Sequence, residues 1–251
     1  MTTLPRGRLD DLLVERGLAD TRPRAQALVA AGLVEVDGVR ADSAAAAVAP
    51  SVGVRLTDRQ HPWVGRGGLK LDRALDQFGV DCAGRVCLDA GASTGGFTDV
   101  LLHRGAQLVY AVDVGHGQLH ARLAADPRVR VLDRTNVRTL AALEGPLPSL
   151  VTLDLSFISL RAVLPNLALL APGAEVVALF KPQFEVARDA VERGGVVRDT
   201  AATSAALHEF QRWAAETARA AVIDEPVAAG VRGAKGNQEW LLHLRLAGGA
   251  P

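Results

Sequence analysis

Lysine is scarce in this 251-residue chain. Lys70, Lys181 and Lys235 are the only three among 28 basic side chains, the rest being arginine. Arg serves wherever a fixed positive charge suffices, so the few lysines are candidates for tasks that need an amine able to release its proton. Cysteine is scarcer still: Cys82 and Cys87 form neither a disulfide framework nor a metal-ligand set, which points to a reducing, cytoplasmic setting. Net charge is absent too, at a formal value of zero, so no global basic field advertises a nucleic acid and any such partner must be held by a local patch. Long apolar runs are missing. The most apolar stretch, residues 160–180, is broken by Arg161, Pro165, Asn166, Pro172 and Glu175, which excludes a membrane-spanning helix of about 18 residues. Asp10 and Asp11 precede any apolar run, so the start does not read as a secretory signal.

What is present divides the chain in two. Residues 8–17 place Leu9, Leu12 and Leu13 on one helical face and stop at Gly17. A second helix fits Pro23 to Ala31, with Thr21 as N-cap and Gly32 as stop. A hairpin follows through the Asp37-Gly38 turn, flanked by Val34-Glu35-Val36 and Val39, and a further strand fits Val52 to Leu56. This small α+β module spans residues 1–58, and a linker spans 59–65. From residue 66 to 251 the pattern becomes long alternation. A helix at about 67–78 leads to strands at 85–90, 108–113, 128–132, 150–154, 175–180, 221–224 and 240–246, with helices between most of them. Strands alternating with helices predict a doubly wound α/β fold with a parallel sheet.

Within that alternation, Asp89-Ala-Gly-Ala-Ser-Thr-Gly-Gly-Phe97 links a strand to a helix. Glycines there let backbone approach a ligand, and the helix N-terminus favours a negative group. Asp113, 24 residues past Asp89, ends the next strand, where a carboxylate accepts ribose hydroxyls. A dinucleotide and S-adenosylmethionine both suit such a loop. The dinucleotide fingerprint requires a middle glycine where this chain has Ser93, and the Asp89 carboxylate entering the loop would repel a pyrophosphate. That carboxylate suits the cationic end of S-adenosylmethionine instead.

Asp154 ends the fourth strand and Lys181 the fifth, so both face the crevice beyond the carboxyl ends of the strands. The Asp154-Leu-Ser-Phe157 turn lacks the prolines usual in adenine-directed methyltransferases, which disfavours an exocyclic amine as acceptor. Four stretches, Asp89 to Phe97, Asp154-Leu-Ser-Phe-Ile-Ser-Leu160, Lys181-Pro-Gln-Phe-Glu185 and Gly236-Asn-Gln-Glu239, resemble the TlyA family of ribosomal RNA 2′-O-methyltransferases over nearly the whole chain. Members of that family also carry the name haemolysin.

The resemblance implies a Rossmann-like, FtsJ-like methyltransferase domain behind an S-four-type RNA-binding domain. It also implies a Lys-Asp-Lys-Glu catalytic tetrad, which falls on Lys70, Asp154, Lys181 and Glu239. The expected cofactor is S-adenosylmethionine, held by Asp89, Gly91, Ser93, Thr94, Gly95, Phe97, Asp113 and Asn136. Arg6, Arg8, Arg22 and Arg66 are the expected RNA contacts, and no metal is implied. The expected activity is 2′-O-methylation of cytidine in 16S or 23S rRNA, by a monomer acting on ribosomal subunits. A membrane-active haemolysin and a non-catalytic RNA-binding ribosome factor are the alternatives. The missing spanning segment argues against the first and the complete tetrad against the second.

Overall fold

The computed structural model describes residues 7–57, 61–217, 220–233 and 235–248. Arg6 lies outside them. The N-terminal module comprises β1 (Gly7–Arg8), α1 (Leu9–Glu15), α2 (Arg22–Ala30), β2 (Val34–Val36), β3 (Val39–Arg40), β4 (Ala47–Val48) and β5 (Val54–Leu56). Thr21 caps α2, its hydroxyl accepting from the Arg24 N–H at 3.3 Å. Asp37 and Gly38 both take positive φ, 49° and 79°, the backbone that a two-residue hairpin between β2 and β3 requires. Leu9, Leu13, Ala25, Leu28, Val29 and Val34 fill a core belonging to this module alone.

The second module runs α3 (Gly67–Phe78), β6 (Val86–Ala90), α4 (Gly96–His103), β7 (Leu108–Val112), α5 (Ala121–Ala124), β8 (Val129–Leu132), β9 (Leu150–Leu153), α6 (Leu164–Leu170), β10 (Glu175–Phe180), α7 (Pro182–Glu185), α8 (Thr200–Glu216), β11 (Ala220–Val222), β12 (Val227–Ala228) and β13 (Trp240–Leu246). Its sheet is ordered β11-β13-β10-β9-β6-β7-β8, with β12 also on β13. The parallel strands step outward from β6 to β7 and β8, then return to its other side as β9 and β10. That reversal between β6 and β9 opens a crevice at their carboxyl ends.

The sheet is mixed rather than wholly parallel. β13 runs antiparallel to β10, from Glu175↔Arg245 to Phe180↔Trp240. No helix lies between β11 and β13 among the described residues, so no crossover returns the chain to a parallel start. Apolar side chains cover both faces. Leu164, Leu167 and Phe210 pack on one, and Leu71, Leu75 and Leu101 on the other. Trp63 and Val64 join the second of these layers, and the Val64 N–H donates to Asp99 at 2.9 Å. Among the described residues no helix is long and apolar enough to cross a membrane.

Candidate active site

Strand ends and one helix bring the tetrad together. Asp154 follows β9, Lys181 follows β10, Glu239 precedes β13, and Lys70 lies in the first turns of α3. They form two ion pairs: Lys70 Nζ to Glu239 Oε2 at 2.5 Å, and Lys181 Nζ to Asp154 Oδ1 at 2.6 Å. Lys181 also donates to Ser156 Oγ at 3.2 Å. Both lysines are only 8 % exposed. Burial pushes the Asp154 carboxyl up, but Lys181 and then Lys70 outweigh it and hold the group below its ordinary range. All four line one cavity of about 440 Å³.

A second cavity of about 410 Å³ adjoins it, lined by Asp113, Asn136 and Gln118. The two share Gly91, Ser93, Asp154, Ser156 and Phe157, so they are lobes of one crevice. At Gly91, φ is +86° and a Cβ would lie 2.5 Å from the Asp154 carbonyl oxygen, so only glycine lets the loop cross the end of β9 this closely. Ser93 adopts φ 47°, a left-handed backbone that non-glycine residues seldom take. Its N–H donates to Asp113 Oδ2 at 2.9 Å, and the Gly115 N–H donates to Oδ1 at 2.7 Å. The Asp113 carboxylate is thereby fixed in plane while each oxygen keeps capacity to accept.

Thr94 and Phe97 line the first lobe beside Arg66. Gly95 lines neither; its φ of 98° and missing side chain make room for Leu119 and Leu123. Asp89 requires correction. Its carboxylate does not reach the crevice but is 0 % exposed, with Oδ1 accepting from Thr152 and Oδ2 from Thr98. Register is the cause: Asp89 pairs with Thr152 across β6 and β9, so its side chain ties that strand pair to the first turn of α4. Arg8 and Arg22 both pair with the buried Asp10, at 2.7 and 3.1 Å.

The structure adds residues to which sequence reasoning gave no role. Phe157 lines both lobes at 87 % exposure and φ 64°, its ring 5.4 Å from that of Phe184. Glu185 accepts from Ser159 Oγ at 2.6 Å and from the Leu160 N–H at 2.7 Å, tying the loop after β9 to α7. Asn237 bridges the stretch at 195–197 to the segment before β13, accepting from the Val197 N–H and donating to the Gly195 carbonyl. All three lie inside the motif stretches, but motif membership alone carries no geometry.

Residues 63–246 match the FtsJ-like methyltransferase family and residues 7–52 the S4 domain family. The chain is 48 % identical over 244 residues to the 16S/23S rRNA (cytidine-2′-O)-methyltransferase TlyA of Mycobacterium tuberculosis, covering 96 % of this chain and 90 % of that protein. The chain belongs to the TlyA family. It is also 36 % identical over 246 residues to a protein named Hemolysin A from Brachyspira hyodysenteriae, covering 94 % of this chain and 99 % of the relative. A structure solved under the name of hemolysin from Streptococcus thermophilus is 38 % identical, covers 97 % of this chain and 90 % of its own, and superposes with a TM-score of 0.72.

Proposed function

We propose that this TlyA-family chain transfers a methyl group from S-adenosylmethionine to a ribose 2′-hydroxyl of ribosomal RNA, cytidine being the acceptor named for its Mycobacterium relative. The observation that carries the reading is the convergence of Lys70, Asp154, Lys181 and Glu239 on one lobe of a crevice whose other lobe presents Asp113. The second lobe suits a nucleoside. Asp113 offers two fixed acceptors to ribose hydroxyls, Asn136 and Gln118 add polar wall, and the glycine at 91 keeps the loop from closing the space.

S-adenosylmethionine, when bound, supplies an electrophilic methyl on a sulfonium. A ribose hydroxyl is a weak nucleophile near neutral pH and must lose its proton as it attacks. Lys181 Nζ, as the free amine, receives that proton and becomes the ammonium that pairs with Asp154. Asp154 stays ionised under the pull of two lysines and aims the Lys181 amine into the lobe. Lys70, fixed by Glu239, places a second positive charge beside the oxygen as it becomes an alkoxide.

Nucleotide-resolution mapping of 2′-O-methylation in 16S and 23S rRNA tests the reading. A strain lacking the gene should lose specific ribose methyl groups that the wild-type gene restores and a Lys181→Arg gene does not. An unchanged map would defeat the proposal. Calorimetry adds a separate check, since tight binding of NAD without S-adenosylmethionine would overturn the assignment of the second lobe.

A further inference from the structure

We propose that Arg232 and Lys235 join Arg66, the RNA contact that the family resemblance implies, in a phosphodiester subsite of the first lobe that holds the RNA backbone beside the reacting ribose; this rests on the ribose-methyltransferase reading. The whole chain has no net formal charge. Yet five cationic side chains line this one lobe against two carboxylates. Glu239 and Asp154 match Lys70 and Lys181. The other three cations make no ion pair among the described residues.

Arg66 is the most telling of them. It is half-buried at the start of α3, a helix with no side-chain cap, so the partial positive charge of the helix end adds to its own. Burial, and then the neighbouring Arg40, pull its guanidinium below the usual range, with Asp42 and Glu239 opposing. A cation taken partly out of water without a counter-ion is an unfavourable arrangement that an incoming anion relieves. Arg232 and Lys235 line the same lobe from the segment before β13. Arg232 Nη1 donates to the Gly236 carbonyl at 2.9 Å, and the buried Asn237 staples that segment to Gly195 and Val197 at 2.8 and 2.9 Å.

The cofactor is the wrong anion for three unmatched cations, because its single carboxylate is outnumbered by an ammonium and a sulfonium. RNA is the right one. A phosphodiester hangs from the ribose carbon next to that bearing the 2′-hydroxyl, so a ribose delivered to Lys181 brings a negative charge into the same lobe. The two ligands should then assist one another. RNA neutralises cations that repel a positively charged cofactor, and by linkage the cofactor strengthens RNA binding by the same factor.

The full-length protein and unmodified ribosomal subunits provide the test, with RNA affinity measured across salt and cofactor affinity by calorimetry. Arg66→Gln and Arg232→Gln should each lower the log–log salt slope by about one and raise KM for RNA more than they lower kcat. S-adenosylmethionine should bind the RNA-free variants as tightly as wild type or more so. Arg66→Lys should keep the slope, and Lys235→Gln gives an independent reading from an exposed loop should Arg66→Gln fail to fold. An unchanged slope in Arg232→Gln and Lys235→Gln would overturn the subsite. So would weaker cofactor binding with normal RNA binding, which assigns the cations to the cofactor carboxylate. A wild-type protein that methylates no rRNA would instead defeat the ribose reading, a result visible apart from the binding curves.

Discussion

Four ionisable side chains in one crevice divide their labour by pairing. Lys181 differs from Lys70 in its partner: it pairs with the carboxylate at the β9 end, inside both lobes, whereas Lys70 pairs with Glu239 in the first lobe only. Lys181→Arg keeps the charge yet removes an amine that can exist unprotonated. It should lower single-turnover methyl transfer at saturating RNA by about 10²–10⁴-fold while sparing cofactor binding. Lys70→Arg should be milder, and near-normal turnover in Lys181→Arg would refute the proton-acceptor role. Asp89 gives a different prediction. Its carboxyl, ordinarily near 3.8, is pushed up to about 7 by burial, with Thr98 and Thr152 opposing. The unfolded chain releases this proton near pH 4 and the native state near pH 7. The native state therefore binds more protons between those values, and stability falls as pH rises through that window. Asp89→Asn removes the titration. Its melting temperature should gain on wild type from pH 5 to pH 8, by at most about 3 kcal/mol in stability. Parallel melting profiles would show that Asp89 does not titrate there. Asp154 and Lys181 could be read from strand-end position and residue type, whereas Lys70 and Glu239 entered the set only through the family resemblance. The buried direction of Asp89 could not, since it depends on register with Thr152.

Among the elements, α7 and the loop after β9 behave as one unit joined through Glu185. Glu185 accepts two hydrogen bonds from that loop, whose stretch from Asp154 also carries Phe157. Glu185→Gln retains one acceptor and should loosen the Asp154–Lys181 geometry. Turnover is expected to drop about tenfold with little change in cofactor affinity, a split between kcat and Kd that steady-state kinetics and calorimetry resolve. A variant with full turnover would leave Glu185 as packing alone. The longer elements were legible at this scale. Helix Gly67–Phe78 ends at Gly79 with φ 64°, and strands Glu175–Phe180 and Trp240–Leu246 fall where apolar residues dominate between turns, the second interrupted only by His243 and Arg245. The two-residue strands β1 and β4 were not, because their pairing of Gly7 with Val48 is imposed by tertiary contact without any local pattern. The antiparallel direction of β13 was also hidden, since strand periodicity carries no sign.

For the whole molecule, separate cores govern what truncation does. The N-terminal module buries its own apolar set around Leu9 and Leu28, while α3 and α4 complete the second module without it. Removing residues 1–57 should leave a folded domain that binds cofactor within a few-fold of the full chain. It also removes Ala30 and Ala31 from the first lobe, so rRNA methylation should fall at least about tenfold. Arg8→Gln with Arg22→Gln should weaken RNA binding and flatten its salt dependence. Because both arginines compensate the buried Asp10, the double variant should also melt earlier than wild type. Unchanged RNA affinity would move the contact surface elsewhere.

The antiparallel β13 has a consequence for when the enzyme comes into being. Glu239 stands just before it, 169 residues beyond its partner Lys70, and the strand lies between β11 and β10 rather than at an edge. β13, the last strand among the described residues, must therefore slot between β11 and β10, a non-local closure that is slow by nature. Until it does, Lys70 has no carboxylate. A chain still emerging during translation holds most of a crevice but no finished site, so activity arrives in one late step and coincides with completion of the sheet.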